Sequence, residues 1–303
     1  MNFEYPVESI AIRRDVGMGD LLMLTPTLRA IQEQGLADVV DVYCAEPLRP
    51  LFERSGRVRG VGSSRDWRRL TQPYSATVDL NGVAERHPEA ATRDRVSLFA
   101  EALGVTLETT HTEYTVSRGE LLQASEFLRG LPGPIIALAP TASDPRRSWD
   151  PTQVTRFITM AVHMGYSVVP IHHLDLGWYK ESTHCRPLLG RDLRLVAAVL
   201  CRANCVVSVD TGIYHLSVAA SGRIGPPLVL PFGATDAAVV TAPYSGIVPM
   251  YHVVPNGECM FFPCANTGGG DCRAPTRYSC CLHRAEDVFA TVQYAIRKRK
   301  NTE

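Results

Sequence analysis

Three short stretches of this chain hold residues whose types and spacing could do chemistry. The most informative runs Val206-Val207-Ser208-Val209-Asp210-Thr211-Gly212-Ile213-Tyr214-His215. Its β-branched residues suit a strand covered on both faces. Asp210 and Thr211 are good residues for a strand end and a helix cap, and Gly212 lets a ligand come close to the backbone. A helix over residues 213–220 would point its unpaired N–H groups and positive dipole end at whatever sits above the turn, an arrangement suited to phosphate. The same residues also describe an ordinary strand-to-helix corner with an Asp cap. His215, one turn into the helix, is either a ligand contact or a packed histidine.

The second stretch is Asp15-Val16-Gly17-Met18-Gly19-Asp20. Gly17 and Gly19 break a short strand, and Asp20 stands where a helix begins, at the sheet edge where open α/β folds bind ligands. A helix cap is the plain alternative for Asp20. The glycine spacing is not G-x-G-x-x-G, so it makes no dinucleotide fingerprint. The third stretch is Cys259-x4-Cys264-x7-Cys272-x7-Cys280-Cys281, around a glycine-rich segment at 266–271. Such crowding reads as a tetrahedral Zn or Fe site using Cys259, Cys264, Cys272 and one of Cys280 or Cys281, or else as reduced thiols or disulfides. Its expected role is structural in either case, pinning a loop with few apolar residues. His172-His173 cannot easily aim at one ion and read as structural.

The elements that must position these residues alternate strand and helix. Strands are expected over 9–14, 39–44, 57–61 and 76–80, helices over 21–34 and 93–103, a helical turn over 48–55 and an extended piece at 114–116. A helix over 120–129 is followed by Gly130-Leu131-Pro132-Gly133-Pro134, the clearest break. A second α/β series then runs through strands at 135–138, 166–171, 206–209 and 227–232. Its helices fall over 151–164, 193–202 and 285–299, the last with a basic end that suits a helix C-terminus. Repeated strand–turn–helix units imply open parallel sheets. The division expected is 1–118 and 119–303, the second part including the cysteine-rich loop 259–281.

Composition narrows the function classes. With 303 residues the chain can hold two medium domains. Its 31 basic and 31 acidic residues argue against broad binding to nucleic acid. Lysine is confined to Lys180, Lys298 and Lys300, so the abundance of arginine reads partly as genome composition. No apolar run reaches the roughly 18 residues of a membrane span, and the start, with Glu4 and Glu8, has no apolar leader. A cytoplasmic location follows as an expectation, with peripheral membrane contact left open.

Taken together, three blocks carry a family resemblance. They are Gly17-Met18-Gly19-Asp20 with Thr25-Pro26; Arg147-Ser148-Trp149; and Asp210-Thr211-Gly212 with His215, followed by Phe232-Gly233-Ala234-Thr235-Asp236. In this order and separation the chain resembles glycosyltransferase family 9, the heptosyltransferases of the lipopolysaccharide inner core, over residues 10 to about 290. The resemblance implies a GT-B architecture: two Rossmann-like domains facing each other across a cleft, the second holding the nucleotide-sugar and the first mainly the acceptor. It implies Asp20 as the general base that activates the acceptor hydroxyl. Arg147, where the family usually has Lys, would contact the donor diphosphate, and arginine keeps the charge and adds a bidentate fork. Thr141 matches a loop position near the phosphates, and Asp210, Thr211, Gly212 and His215 match the donor segment. Gly17, Gly19 and Gly233 are the turns that shape both sites. The family's glycine-rich stretch and Glu after the 166–171 strand are replaced here by His172-His173-Leu174-Asp175-Leu176-Gly177.

The chemistry expected is inverting transfer from a nucleotide-diphospho-sugar, ADP-heptose by family analogy, with no cofactor for catalysis. One carboxylate base and direct displacement predict inversion, and no Asp-x-Asp pair stands ready for a catalytic divalent ion. The acceptor is a hydroxyl of a saccharide or glycolipid, with a protein or modified nucleobase as the alternative. The competing class is a non-catalytic GT-B-like module whose cysteine knuckle binds a partner.

Overall fold

The computed structural model describes residues 4–69, 74–190, 192–253, 259–265 and 271–301. The chain divides into two compact units, Met1–Thr115 with Val239–Tyr244, and Val116–Ala238 with Ser245–Glu303. Residues 239–244, a segment placed in the second domain from sequence, therefore group with the first unit.

In chain order the first unit contains β1 (Val7–Arg13), α1 (Met18–Glu33), β2 (Ala37–Cys44), β3 (Gly60–Ser63), β4 (Ala76–Asp79), α2 (Val83–Arg86) and α3 (Arg95–Ala102). Among the described residues its strands form a parallel sheet in the order β3-β2-β1-β4. Ile10, Ala11 and Ile12 of β1 are fully buried because both faces of the central strand are covered. The chain steps from β1 out to β3 and returns to β4 on the other side of β1. The switch point thus lies between the carboxyl ends of β1 and β4, where ligands bind in such sheets.

The second unit begins with α4 (Arg118–Leu128), whose start is held by a capping box between Ser117 and Glu120. It continues through β5 (Ile135–Ala139), α5 (Pro151–His163), β6 (Ser167–His172), β7 (Leu188–Leu189), α6 (Leu193–Arg202), β8 (Cys205–Ser208), α7 (Gly212–Ser221) and β9 (Leu228–Leu230). α8 (Ala237–Thr241) straddles the division between the units, and β10 (Met250–His252) and α9 (Ala285–Lys300) complete the second. The described strands pair in parallel as β10-β9-β8-β5-β6-β7. β5 and β8 are neighbours, with Ala139 opposite Ser208, and the strand order reverses between them. The core packs α5 and α9 on the sheet through Trp149, Phe157, Val288, Phe289 and Val292.

Three sequence expectations shift. The strand placed at 57–61 lies at Gly60–Ser63, where its pairing with β2 begins with Gly60 opposite Asp41. The helical turn at 48–55 is a 3-10 turn at Glu46–Leu51. Residues 114–116 join no strand, and Tyr114 packs as a buried residue of a connecting segment. No helix among the described residues is long and apolar enough to cross a membrane.

Candidate functional site

In the first unit the β1–α1 turn places Asp20 at the switch point. Gly17 is the cap residue of α1 with φ of 92°, a left-handed conformation that favours glycine, and a Cβ there would lie 2.6 Å from Asp20 Oδ2. Gly17 thus sets the turn and leaves room for the carboxylate. Gly19 is buried in the first turn of the same helix. The Asp20 side chain is buried and points to arginines, not to helix N–H groups. Arg95 Nη1 donates to Oδ1 at 2.8 Å, and Arg14 Nη2 donates to Oδ2. Glu85, delivered by α2 beside β4, binds both arginines, accepting from Arg14 at 2.7 Å and from Arg95 at 2.8 Å.

Two cations and two carboxylates therefore close a ring at the β1/β4 switch point. Burial pushes the Glu85 carboxyl up, but Arg14 and Arg95 outweigh it and hold it at about 2. Burial likewise acts to lower the Arg14 guanidinium, and the Glu85 and Asp20 carboxylates more than reverse it. Arg14, Glu85 and Arg95 were not singled out from sequence. The legible signal was Arg14 at the carboxyl end of a buried strand, where an arginine needs a partner; Arg95, 75 residues from Asp20, gave none.

In the second unit the β5 and β8 loops bring Arg147 and Asp210 together. Arg147 Nη1 donates to Asp210 Oδ2 at 3.2 Å, and Nη2 reaches Ser143 Oγ at 3.3 Å. The Asp210 side chain is one-tenth exposed and that of Arg147 28% exposed, so the guanidinium keeps an open side. Thr235 Oγ1, from the loop after β9, donates to the same Oδ2 at 2.8 Å. In the sequence Thr235 reads only as part of a turn motif, and its bond to Asp210 makes it a member of the site. Thr141 is half-buried in the loop that opens after β5.

Thr211 is the cap residue of α7 and makes no side-chain cap bond, so the first N–H groups after Gly212 gain no satisfaction from it. Trp149 fixes the end of the Arg147 loop: it is 1% exposed, and its Nε1 donates to the His283 carbonyl at 2.8 Å. His215 is buried, with its ring 3.8 Å from that of Tyr214. His172 and His173 stack at 4.1 Å, and His172 Nδ1 bonds within its own turn at Leu174.

Among the described residues no group of three or more His, Cys, Asp or Glu is arranged to hold a metal ion. Cys281 Sγ donates to the Arg146 carbonyl at 3.0 Å, Cys272 Sγ accepts from the Tyr278 N–H at 3.3 Å, and Cys280 and Cys281 sulfurs lie 4.0 Å apart. Cys259 and Cys264 are half-buried. The glycine-rich stretch at 266–270 lies outside the described residues. Gly233 belongs to this junction: a Cβ there would meet Cys281 Sγ at 2.7 Å and the Arg146 carbonyl at 3.0 Å.

Chemically, the second unit offers a partly open guanidinium beside a helix N-terminus at a switch point, a site for an anion such as a diphosphate. The first unit offers a buried carboxylate whose two oxygens are oriented by arginines.

Residues 60–252 match the model of glycosyltransferase family 9 (heptosyltransferase). No curated protein sequence matches. Among solved structures, a family 9 glycosyl transferase from Veillonella parvula is similar with TM-score 0.72 at 15% identity, covering 98% of this chain and 99% of that one. The E. coli heptosyltransferase WaaC with ADP-2-deoxy-2-fluoro heptose gives 0.59 at 19%, covering 94% and 99%. The iron-containing dodecameric glycosyltransferase TibC from enterotoxigenic E. coli gives 0.71 at 15%, covering 97% and 77%. At these identities the likeness speaks for the fold, which is GT-B.

Proposed function

The chain belongs to glycosyltransferase family 9 and is a glycosyltransferase, and from that premise we propose that it inverts the anomeric carbon of a nucleotide-diphospho-sugar without a metal ion. Residues 119–303 hold the donor and residues 1–118 the acceptor. The observation that carries this reading is the convergence of Arg147 and Thr235 on Asp210 beside the start of α7.

Glycosyl transfer passes through an oxocarbenium-like state while the diphosphate gains negative charge. Arg147 and the N–H groups after Gly212 lie where that charge can be met, with Asp210 holding the guanidinium in place and Thr141 at the loop mouth. A fixed cation and an oriented helix end stabilise developing charge without reorganising, the task a divalent ion performs elsewhere. Thr211 sets the entry of α7. Buried His215 supports the donor segment from beneath, through Tyr214.

Asp20 takes the proton of the acceptor hydroxyl. Its oxygens each accept one bond, from Arg14 and from Arg95, and each keeps a further lone pair for a proton. The Arg95 side is the more open, with its side chain 38% exposed against 5% for Arg14. A single carboxylate base acting on the face opposite the leaving group gives inversion.

The donor is ADP-heptose by analogy with WaaC, solved with an ADP-heptose analogue. The acceptor is a hydroxyl of a saccharide or glycolipid, with a protein or modified nucleobase as the alternative. The cysteines serve structurally. The iron in TibC favours a second reading in which Cys259, Cys264, Cys272 and one of Cys280 or Cys281 hold Fe or Zn, and metal analysis of the purified protein decides it.

The test is release of nucleoside diphosphate from a panel of nucleotide-sugars, with Asp20→Ala as control. Turnover of one donor that is lost in the variant supports the reading. No turnover, together with no thermal stabilisation by ADP, UDP or GDP, would leave the non-catalytic module standing instead.

A further inference from the structure

The cysteine-rich segment has an adjacent pair, Cys280 and Cys281, and the two thiols meet different surroundings. The Cys281 thiol is turned inward, away from solvent, onto the backbone carbonyl of Arg146. That carbonyl also accepts from the Ala234 N–H at 3.2 Å. One oxygen thus ties together the loop after β5, the loop after β9 and the cysteine segment.

Further bonds bracket the same junction. The Cys281 carbonyl accepts from the Asp150 N–H at 3.2 Å, and the Ala265 N–H donates to the Ala234 carbonyl at 3.0 Å. The Arg146 side chain, buried, runs back to Asp144 and to the Cys264 carbonyl. Gly233 is flattened against Cys281 so closely that any side chain would strike its sulfur. The residues just beyond this junction are Arg147 on one loop and Thr235 on the other. Both donate to one atom, Asp210 Oδ2.

We infer that Cys281 is a positioning residue for the donor site: its thiol, bonded to the Arg146 carbonyl, locks together the two loops that deliver Arg147 and Thr235 to Asp210. The inference rests on the donor-site reading above. It gives the inward turn of the thiol a role. It also gives Gly233 a reason: the close approach of the two loops leaves no room for a Cβ.

The experiment compares Cys281→Ala, Cys281→Ser, Gly233→Ala and Cys280→Ala by calorimetric titration with ADP and by hydrogen exchange of residues 144–150 and 232–235. A neutral buried hydrogen bond is worth about fivefold in an equilibrium constant. Cys281→Ala is therefore expected to weaken ADP binding by up to about fivefold and to speed exchange at Ala234 and Asp150 by a similar factor, and Gly233→Ala, whose Cβ would push Cys281 Sγ and the Arg146 carbonyl away, to shift both in the same direction. Cys281→Ser, which keeps a donor, is expected within about twofold of the parent, and Cys280→Ala likewise. Parental ADP affinity and protection in both Cys281→Ala and Gly233→Ala would overturn the inference, as would an equal loss in Cys280→Ala. If the parent protein binds no ADP, the donor-site reading fails, and the exchange arm still decides whether the thiol locks the loops.

Discussion

His283 offers a prediction whose size can be worked out in advance. The ring is 1% exposed, its Nε2 bonds the Phe232 carbonyl at 3.0 Å, and its Nδ1 has no hydrogen-bond partner. Because a carbonyl only accepts, Nε2 must carry the proton, and the neutral ring is the one that fits. Burial pushes the imidazole down to about 4, against 6.5 for a free histidine, and the Phe232 bond reverses little of that. The folded value lies below the unfolded one, so between those limits the unfolded chain binds more protons. Stability from this group is complete above pH 6.5 and drains away as pH falls towards 4. At pH 5 the gap traversed is about 1.5 units, and at about 1.4 kcal/mol per unit the loss is about 2 kcal/mol. His283→Gln keeps an N–H for Phe232 and removes the titration. Urea unfolding of both proteins at pH 7 and pH 5 reads the effect, and the parent should lose about 2 kcal/mol more than the variant. Parallel losses would show that His283 titrates as an ordinary exposed histidine and that the Phe232 loop is not pinned as described.

Other outcomes follow from the two sites. Thr235→Val removes the bond to a buried carboxylate while keeping shape, and it should cost about 1.5–3 kcal/mol in urea unfolding, since bonds to charged groups sit in that range. Arg147→Gln should weaken ADP binding at least tenfold, whereas Arg147→Lys should recover part of it as a point charge without the fork; calorimetry at two salt concentrations checks both. Glu85→Gln removes a carboxylate held at about 2, whose contribution is present above its ordinary 4.5 and lost as pH falls through 2. With its side chain 38% exposed, the screened contribution is roughly 1 kcal/mol at pH 7, so unfolding curves at pH 7 should separate and those at pH 2 converge.

Much of the frame was readable because local and global preferences agree. Val206, Val207 and Val209 could only be an interior strand, and a strand followed by Gly212 and an apolar helix fixes the direction of the turn. Pro151 behind Asp150 marked the start of α5 for the same local reason. What stayed hidden depends on contacts distant in sequence. β10 is three residues long after a proline-containing approach, too short for any periodicity to register. The partners of Asp20 come from the end of β1 and from α3, Glu85 on α2 binds both of them, and abundant arginine masked the buried one. The cysteine spacing pointed to an ion, while the inward turn of Cys281 onto Arg146 depends on a segment 135 residues away.

The most direct test of the account is a steady-state comparison of Asp20→Asn with the parent enzyme, using the nucleotide-sugar that the panel identifies. The substitution keeps the shape of the side chain and one acceptor oxygen for the arginines, and it removes the base. The account predicts kcat lower by about 10²–10⁴, the span of general-base catalysis, with the donor KM and ADP affinity unchanged within about threefold. A variant that turns over at the parental rate, or one that loses ADP binding in step with kcat, would contradict the assignment of base and donor site to these two units.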